Sequence, residues 1–365
     1  MKQKLLALLR ANPFLSQQEL AAQLGLSRSA VAGHLAALTR ERRILGRAYV
    51  LPGEQAIVCI GGINIDRKLR TLEPLQLGTS NPASLSETPG GVARNVAENL
   101  ARLGQPVQLL SAVGDDAAGR NLLAQAEACG IRTEGCLRVA GAHTGSYTAV
   151  LDAQGELALA LAHMDLCERL DPAFLRQCAP QRAQARLTLI DLNLPAASVA
   201  QLLQDAQAPG AAPLVAVAVS QPKMDRLPQA LTGLDLLILN RAELETACGG
   251  TRLRSAAALQ RAWQQLQQRG LKRLIVTDGE QGLWYSDSRE QLQALPATPV
   301  QVLDVTGAGD AFAAGVCAAL VQDADDLAAA CRLGQRLAAL TLQTDATVHP
   351  ELSPALLDAP HLPLA

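Results

Sequence analysis

From Asp304 to Gly315 the chain reads Asp-Val-Thr-Gly-Ala-Gly-Asp-Ala-Phe-Ala-Ala-Gly, a strand-like run that passes through a glycine-rich turn into a helical stretch. Gly307, Ala308 and Gly309 have little side-chain bulk, so their backbone N–H groups can face an anion, and a helix starting near Asp310 adds its positive end. Asp310 then falls beside a transferring phosphoryl group, where its carboxylate could take the proton of an attacking hydroxyl. A GxxxxGK[ST] phosphate loop is absent from the chain, and Phe312 stands where the dinucleotide fingerprint needs its third glycine. The plain alternative is a glycine-rich helix start with no ligand.

Four other segments carry groups suited to the same chemistry. Gly90 and Gly91 allow close backbone approach, and the Asn95 amide both donates and accepts toward a diol. Asp66, expected at the C-terminal end of the first strand, can accept two hydroxyl hydrogen bonds. Glu243 offers the oxygen ligand that Mg²⁺ prefers, and Thr277 to Gly282 forms an Asp-Gly loop. Taken singly, each is also ordinary turn or helix-start chemistry.

Together these motifs resemble the PfkB, or ribokinase-like, carbohydrate kinases. Residues 304–315 match every position of that family's C-terminal signature, and residues 89–95 resemble its N-terminal one. Residues 61–66 resemble Gly-x-x-Asn-x-Asp, and residues 240–243 resemble Asn-x-x-Glu. The likeness runs from residue 56 to about residue 350 and implies a three-layer α/β/α core with a small β-lid. It implies Asp310 as general base, with Gly307, Ala308 and Gly309 as the anion hole. Asn64, Asp66, Gly90, Gly91, Asn95 and Tyr147 are implied on the substrate, and Asn240, Thr277, Gly279, Gly282 and Gly309 on the nucleotide. Glu243 would serve Mg²⁺ through water. Asp304 and Thr306 would hold a monovalent cation such as K⁺, with carbonyls from residues 341–348. The cofactors implied are ATP and Mg²⁺, and the assembly a homodimer.

Within that family, Gly61 to Arg67, the run Thr144 to Leu151, and Ser220 with Lys223 look most like pseudouridine kinases, although Ala218 replaces the aspartate usual there. The implied reaction moves the γ-phosphoryl group of ATP to a 5′-hydroxyl, giving ADP and a 5′-phosphate. A kinase for ribose, a common nucleoside or a hexose is one alternative. A transcription regulator that senses a sugar or nucleoside is another, and the intact Asp310 argues against it.

These residues need a scaffold, and the chain's pattern supplies one. Nearly continuous apolar runs at 57–60, 107–112, 187–191, 214–219, 236–239 and 274–277 read as strands covered on both faces. Helical stretches at 91–103, 119–128, 257–268 and 310–320 alternate with them, which predicts a parallel sheet between helices. Residues 69–88 and 144–162 break the rhythm and are predicted to form the lid over the strand ends.

The first 52 residues differ in kind. Their eight Lys/Arg and two acids give a net +6, whereas the remaining 24 bases and 32 acids give −8 within a total of −2. A basic head on an acidic body suggests a polyanion partner for the head alone. Helices are predicted at 2–11, from a Ser16 cap to Gly25, and from a Ser27 cap to about Arg40, followed by a basic hairpin at 42–50. This resembles an all-α winged helix-turn-helix domain over residues 1–53, ahead of a kinase domain over 54–365. Arg28, Ser29, Arg42, Arg43 and Arg47 are its predicted DNA contacts. A regulatory appendage without DNA binding is the alternative.

Of the 365 residues 49% are hydrophobic and 18% charged, unlike a disordered chain. The eight cysteines are scattered without a CxxC pair, as reduced structural thiols would be. With no run of signal-peptide or membrane-spanning length, the expected location is the cytoplasm and no membrane partner is expected.

Overall fold

The computed structural model describes residues 1–11, 15, 17–44, 55–289 and 291–358. At the start of the chain, α1 (Lys2–Ala11), α2 (Gln17–Leu24) and α3 (Arg28–Arg40) bury Leu5, Leu6, Leu20, Val31 and Leu38 against one another. Ser27 caps α3 by accepting a hydrogen bond from the Ala30 amide at 3.2 Å, which leaves Arg28 and Ser29 exposed on its first turn. Arg42 and Arg43 follow that helix. Arg47, the rest of the expected basic hairpin, the Ser16 cap and the 53/54 boundary lie outside the described residues.

The body begins with β1 (Ala56–Ile60), which ends at Gly61 and Gly62 because a carboxylate from a neighbouring strand fills the space where a Cβ on Gly61 would sit. A hairpin, β2 (Asn64–Thr71) and β3 (Ala83–Gly90), leads into α4 (Val92–Arg102), β4 (Val107–Leu110), β5 (Ala112–Gly114), α5 (Ala117–Ala128), β6 (Ile131–Arg132) and β7 (Leu137–Val139). A second hairpin, β8 (Ser146–Leu151) and β9 (Leu157–His163), precedes α6 (Pro172–Gln177), α7 (Ala179–Ala183), β10 (Ala185–Asp191), α8 (Ala196–Asp205) and β11 (Leu214–Val217). Then come β12 (Leu236–Asn240), α9 (Arg241–Ala247), α10 (Ala256–Gln268), β13 (Arg273–Thr277), β14 (Leu283–Ser286), β15 (Leu292–Leu295), α11 (Ala308–Gln322), α12 (Leu327–Thr341) and α13 (Ala355–Asp358).

The main sheet runs β15-β14-β13-β12-β11-β10-β1-β4-β6, parallel from β13 to β6 and antiparallel at β14 and β15. Helices α4, α5, α11 and α12 cover one face, and α6, α8 and α10 the other. Three Phe, two Trp and three Tyr are all the aromatics of the chain, so both cores are built mainly from Leu, Val, Ile and Ala. Each fully buried aliphatic side chain contributes about 1.5–3 kcal/mol. Where α11 crosses α12, a Cβ on Gly315 would meet the backbone of Gly334 at 2.8 Å, so the two helices touch through glycine.

Two expectations change. The run 107–112 is two strands, because Ser111 leaves the sheet to donate to the Gly61 carbonyl at 2.5 Å, and β5 then pairs with β7. Asp66 does not end the first strand. It lies inside β2, within the separate sheet β3-β2-β8-β9 that takes in both ends of residues 69–88 and most of 144–162.

That second sheet has two unlike faces. Its cross-strand registers place Asp66, Lys68, Tyr147 and Ala149 on one side and Leu69, Leu85, Val150, Leu159 and Leu161 on the other. Strand alternation therefore separates a polar inner face from a leucine-rich outer one.

Candidate active site

The glycine-rich turn ends in α11, which starts at Ala308, so Asp310 stands in the first helical turn. Gly307 precedes it with φ 80°, and a Cβ there would collide with the Thr347 carbonyl. Only glycine suits both constraints. Across the cleft, α4 begins after Gly91, whose φ is 100° and whose Cβ would collide with the Gly62 carbonyl.

Asn95 on α4 donates to the Asp310 carboxylate at 2.8 Å, while its amide oxygen accepts from the Arg94 guanidinium at 3.0 Å. Two unambiguous partners fix which end of the amide faces which. Arg94 is itself buried and paired with Glu98. A chain of hydrogen bonds thus runs from a buried ion pair to the Asp310 carboxylate.

Burial pushes the Asp310 carboxyl up to about 7; the Asn95 hydrogen bond opposes the rise, and the nearby Asp191 and Asp66 charges add to it. A base with that affinity is matched to proton transfer near neutral pH. Asp66 accepts from the Asn64 amide at 2.6 Å. Burial also raises the Asp66 carboxyl, against the pull of Asn64 and Lys68. Gly90 backs it closely, since a Cβ there would collide with the Asp66 carboxylate.

A cavity of about 640 Å³ opens over these groups. Asn64, Asp66, Gly91, Asn95, Tyr147 and Asp310 line it, together with Thr306 and Gly307. A second cavity of about 290 Å³ lies on the other side of the turn, lined by Thr277, Gly279, Gly282, Ala308 and Gly309 and walled by Phe312 and Leu342. Asp310 and the glycine turn stand between a larger pocket rich in polar groups and a smaller, more apolar one.

Other expected residues take different places. Asn240 and Glu243 line neither cavity. They close the start of α9 as a capping box: the Glu243 amide donates to Asn240 at 2.9 Å, and the Asn240 amide donates to the Glu243 carboxylate at 2.8 Å. Burial raises the Glu243 carboxyl. No cluster of three or more His, Cys, Asp or Glu suited to a metal exists among the described residues, so the donor set fits a divalent ion only through water and nucleotide phosphates. At Asp304 and Thr306, the expected cation position, the Lys68 ammonium is already bonded to both side chains.

Sequence reading missed Asp191, Lys68 and, on the far wall of the polar cavity, Asp165, Glu168 and Arg226; Ser220 and Lys223, singled out in the sequence, stand on that same wall. Asp191, fully buried at the end of β10, accepts from the amides of Gly62 at 2.8 Å, Ala93 at 3.0 Å and Asn193 at 2.9 Å. Burial raises its carboxyl against those three amides. Its one trace in the sequence is a lone carboxylate closing the apolar run 187–191. On the far wall, Asp165, Ser220, Lys223 and a Glu168–Arg226 pair at 2.8 Å face the cavity.

A parallel sheet between two helical layers, a lid sheet at its C-terminal edge, and a carboxylate behind a glycine turn define the ribokinase-like class of kinases. Comparison with known proteins agrees. The model of the pfkB family carbohydrate kinases matches residues 54–353, and that of a winged helix-turn-helix DNA-binding domain matches residues 1–44. The chain is similar to the pseudouridine kinase of Escherichia coli K12, with 35% identity over 298 residues, 81% of this chain and 93% of that one. It is 32% identical to an uncharacterized sugar kinase of the same organism over 317 residues, 86% of each chain. The ribokinase of Arabidopsis thaliana, solved with ribose and ATP, shares the fold with a TM-score of 0.72 at 21% identity, over 85% of this chain and 99% of that one. The chain belongs to the PfkB family: it is a sugar or nucleoside kinase with a winged helix-turn-helix head.

Proposed function

We propose that the protein phosphorylates the 5′-hydroxyl of a ribosyl nucleoside with ATP, and that the nucleoside is pseudouridine. The observation that carries this reading is the position of Asp310 between the polar cavity and the cavity beyond the glycine turn. Ribose hydroxyls would bond Asp66 and Asn64 in the first, and the nucleotide would lie along Thr277, Gly279 and Gly282 in the second. Asp310 would take the proton of the attacking hydroxyl, and the N–H groups around Gly307, Ala308 and Gly309 would bear the charge that develops on the phosphoryl oxygens. Mg²⁺, held by phosphates and by Glu243 through water, would neutralise phosphate charge when bound.

Pseudouridine is favoured over other acceptors by the far wall and by the similarity to the pseudouridine kinase of E. coli. Its base presents two N–H donors and two carbonyl acceptors, and Asp165, Ser220, Lys223 and the Glu168–Arg226 pair offer complementary groups. The four-stranded sheet would act as the lid, with Tyr147 over the sugar and water excluded beneath it. Its outer face exposes Leu85, Leu159 and Leu161 at 58%, 52% and 58%, and we place the homodimer contact there. A sizing measurement giving the mass of one chain removes that assignment. The head would hold DNA through Arg28, Ser29, Arg42, Arg43 and Arg47, and salt-independent DNA retention would count against phosphate contacts.

The decisive experiment is ADP release with Mg-ATP against pseudouridine, uridine, adenosine, ribose and fructose 6-phosphate. Turnover with pseudouridine far above the rest is expected. Preference for another acceptor keeps the kinase and rejects the nucleoside.

A further inference from the structure

Family resemblance leads one to expect a free monovalent cation at Asp304 and Thr306, beside the anion-binding turn. The side chains there are already committed to one another. Lys68 donates to Asp304 Oδ2 at 2.5 Å and to Thr306 Oγ1 at 3.2 Å. The other Asp304 oxygen accepts from the Thr306 amide at 2.8 Å and the Thr306 hydroxyl at 2.6 Å. Both carboxylate oxygens and the hydroxyl therefore have partners, and K⁺ at Asp304 would have to lie against an ammonium of the same charge. The residues present do not fit a bound K⁺ as they stand.

We propose that the Lys68 ammonium is the monovalent cation of this enzyme, a charge built into the lid, so that phosphoryl transfer needs no K⁺. Three features of the fold support the exchange. Lys68 lies on the inner face of β2 two residues beyond Asp66, so the strand that carries the sugar-binding carboxylate also delivers the charge to the foot of the turn. Asp304 is three residues before Gly307, and an ammonium there adds to the positive end of α11, where the phosphates collect. The contact spans 236 residues of sequence, and it joins the lid sheet to the segment just before the glycine turn, where Thr306 lines the larger cavity. Burial would raise the Asp304 carboxyl, but hydrogen bonds from Lys68 and Thr306 outweigh it and hold the group lowered and ionised.

The pair is only partly buried, with Lys68 35% and Asp304 23% exposed. Its role is thus the placement of a charge more than the stability of the fold. The arrangement also makes the cation conditional. K⁺ in solution is always available, whereas Lys68 reaches Asp304 only with β2 in place, so charge at the phosphate turn is coupled to lid position.

The test rests on the kinase reading for one arm and is independent of it for the other. Full-length protein would be assayed for ADP release with Mg-ATP and its best acceptor in choline chloride and in KCl at equal ionic strength. Thermal midpoints would be measured in the same two salts without substrate. Wild type is expected to turn over equally in both and to melt at one temperature in both. Lys68→Met is expected to lose on the order of 10²-fold in choline, to recover in KCl, and to be stabilised by KCl alone, because the vacated Asp304 and Thr306 can then take K⁺. Lys68→Gln serves equally if the methionine variant does not fold. Stimulation or stabilisation of wild type by KCl overturns the proposal, as does a Lys68 variant that is undiminished in choline or inactive and unshifted in both salts. Absence of turnover in every sample would sink the kinase reading while the melting arm still decides this one.

Discussion

Two helices start at the C-terminal edge of the sheet, and their first turns are built in opposite ways. At α9 the capping box of Asn240 and Glu243 meets the exposed amides with the protein's own oxygens. At α11 Gly307 supplies a left-handed turn and no side-chain cap at all. Helix starts leave backbone N–H groups that must find acceptors. A start that finds them in its own side chains has fewer amides left to offer an anion, and one that does not is available to it. Both first turns carry a carboxyl raised by burial, but Glu243 is bonded to its own helix start, whereas Asp310 faces the polar cavity.

The comparison breaks most directly at Asp310. Asp310→Asn keeps size and removes the proposed base, so kcat should fall by about 10³-fold with little change in KM for either substrate. Retained turnover in a steady-state assay would mean that α11 contributes only its amides.

Next in size is the pH effect. With the Asp310 carboxyl at about 7, the reactive form is the deprotonated one, so kcat/KM should fall about tenfold per unit as pH drops below that value. Because the Asn95 hydrogen bond lowers this pKa, Asn95→Ala should move the acid limb to higher pH. A limb that stays in place would show that Asn95 does not tune the base.

A gentler probe of the bare start is Gly309. A Cβ there meets no heavy atom within 4 Å and faces the second cavity. Gly309→Ala should therefore fold with equal or greater stability, by about 0.4–1 kcal/mol, yet raise KM for ATP on the order of tenfold, ~1.4 kcal/mol. Unchanged nucleotide affinity would take the phosphates away from this turn. The smallest expected effect belongs to the capped start. Asn240→Ala should cost about 1 kcal/mol of stability in a denaturant titration, and a loss of turnover with stability intact would make α9 a working part of the site.

Much of this was legible in the chain. Runs such as 57–60 and 236–239 announced buried strands because parallel strands are covered on both faces, and Gly307, Ala308 and Gly309 announced close backbone approach because they have little bulk. The partners of these residues were not legible. Asn95 and Asp310 are 215 residues apart, and Gly62 and Asp191 are 129 apart. Asp191 looked like the end of a strand until β10 was placed beside β1. Asp66 was misplaced because two glycines, Gly61 and Gly62, hide the break between a core strand and a lid strand.

By itself the sequence determined the local chemistry of this protein: a turn without side chains, a carboxylate in the following helix, an amide and a carboxylate suited to hydroxyls, and a basic helical head. Backbone sterics and charge are properties of a residue and its near neighbours, so they survive without a fold. Which carboxylate is buried and raised between two cavities, which is a cap and which already meets a lysine was decided by tertiary structure alone. Those roles depend on burial and on partners brought together by strand order, such as Arg94 behind Asn95 and Lys68 against Asp304.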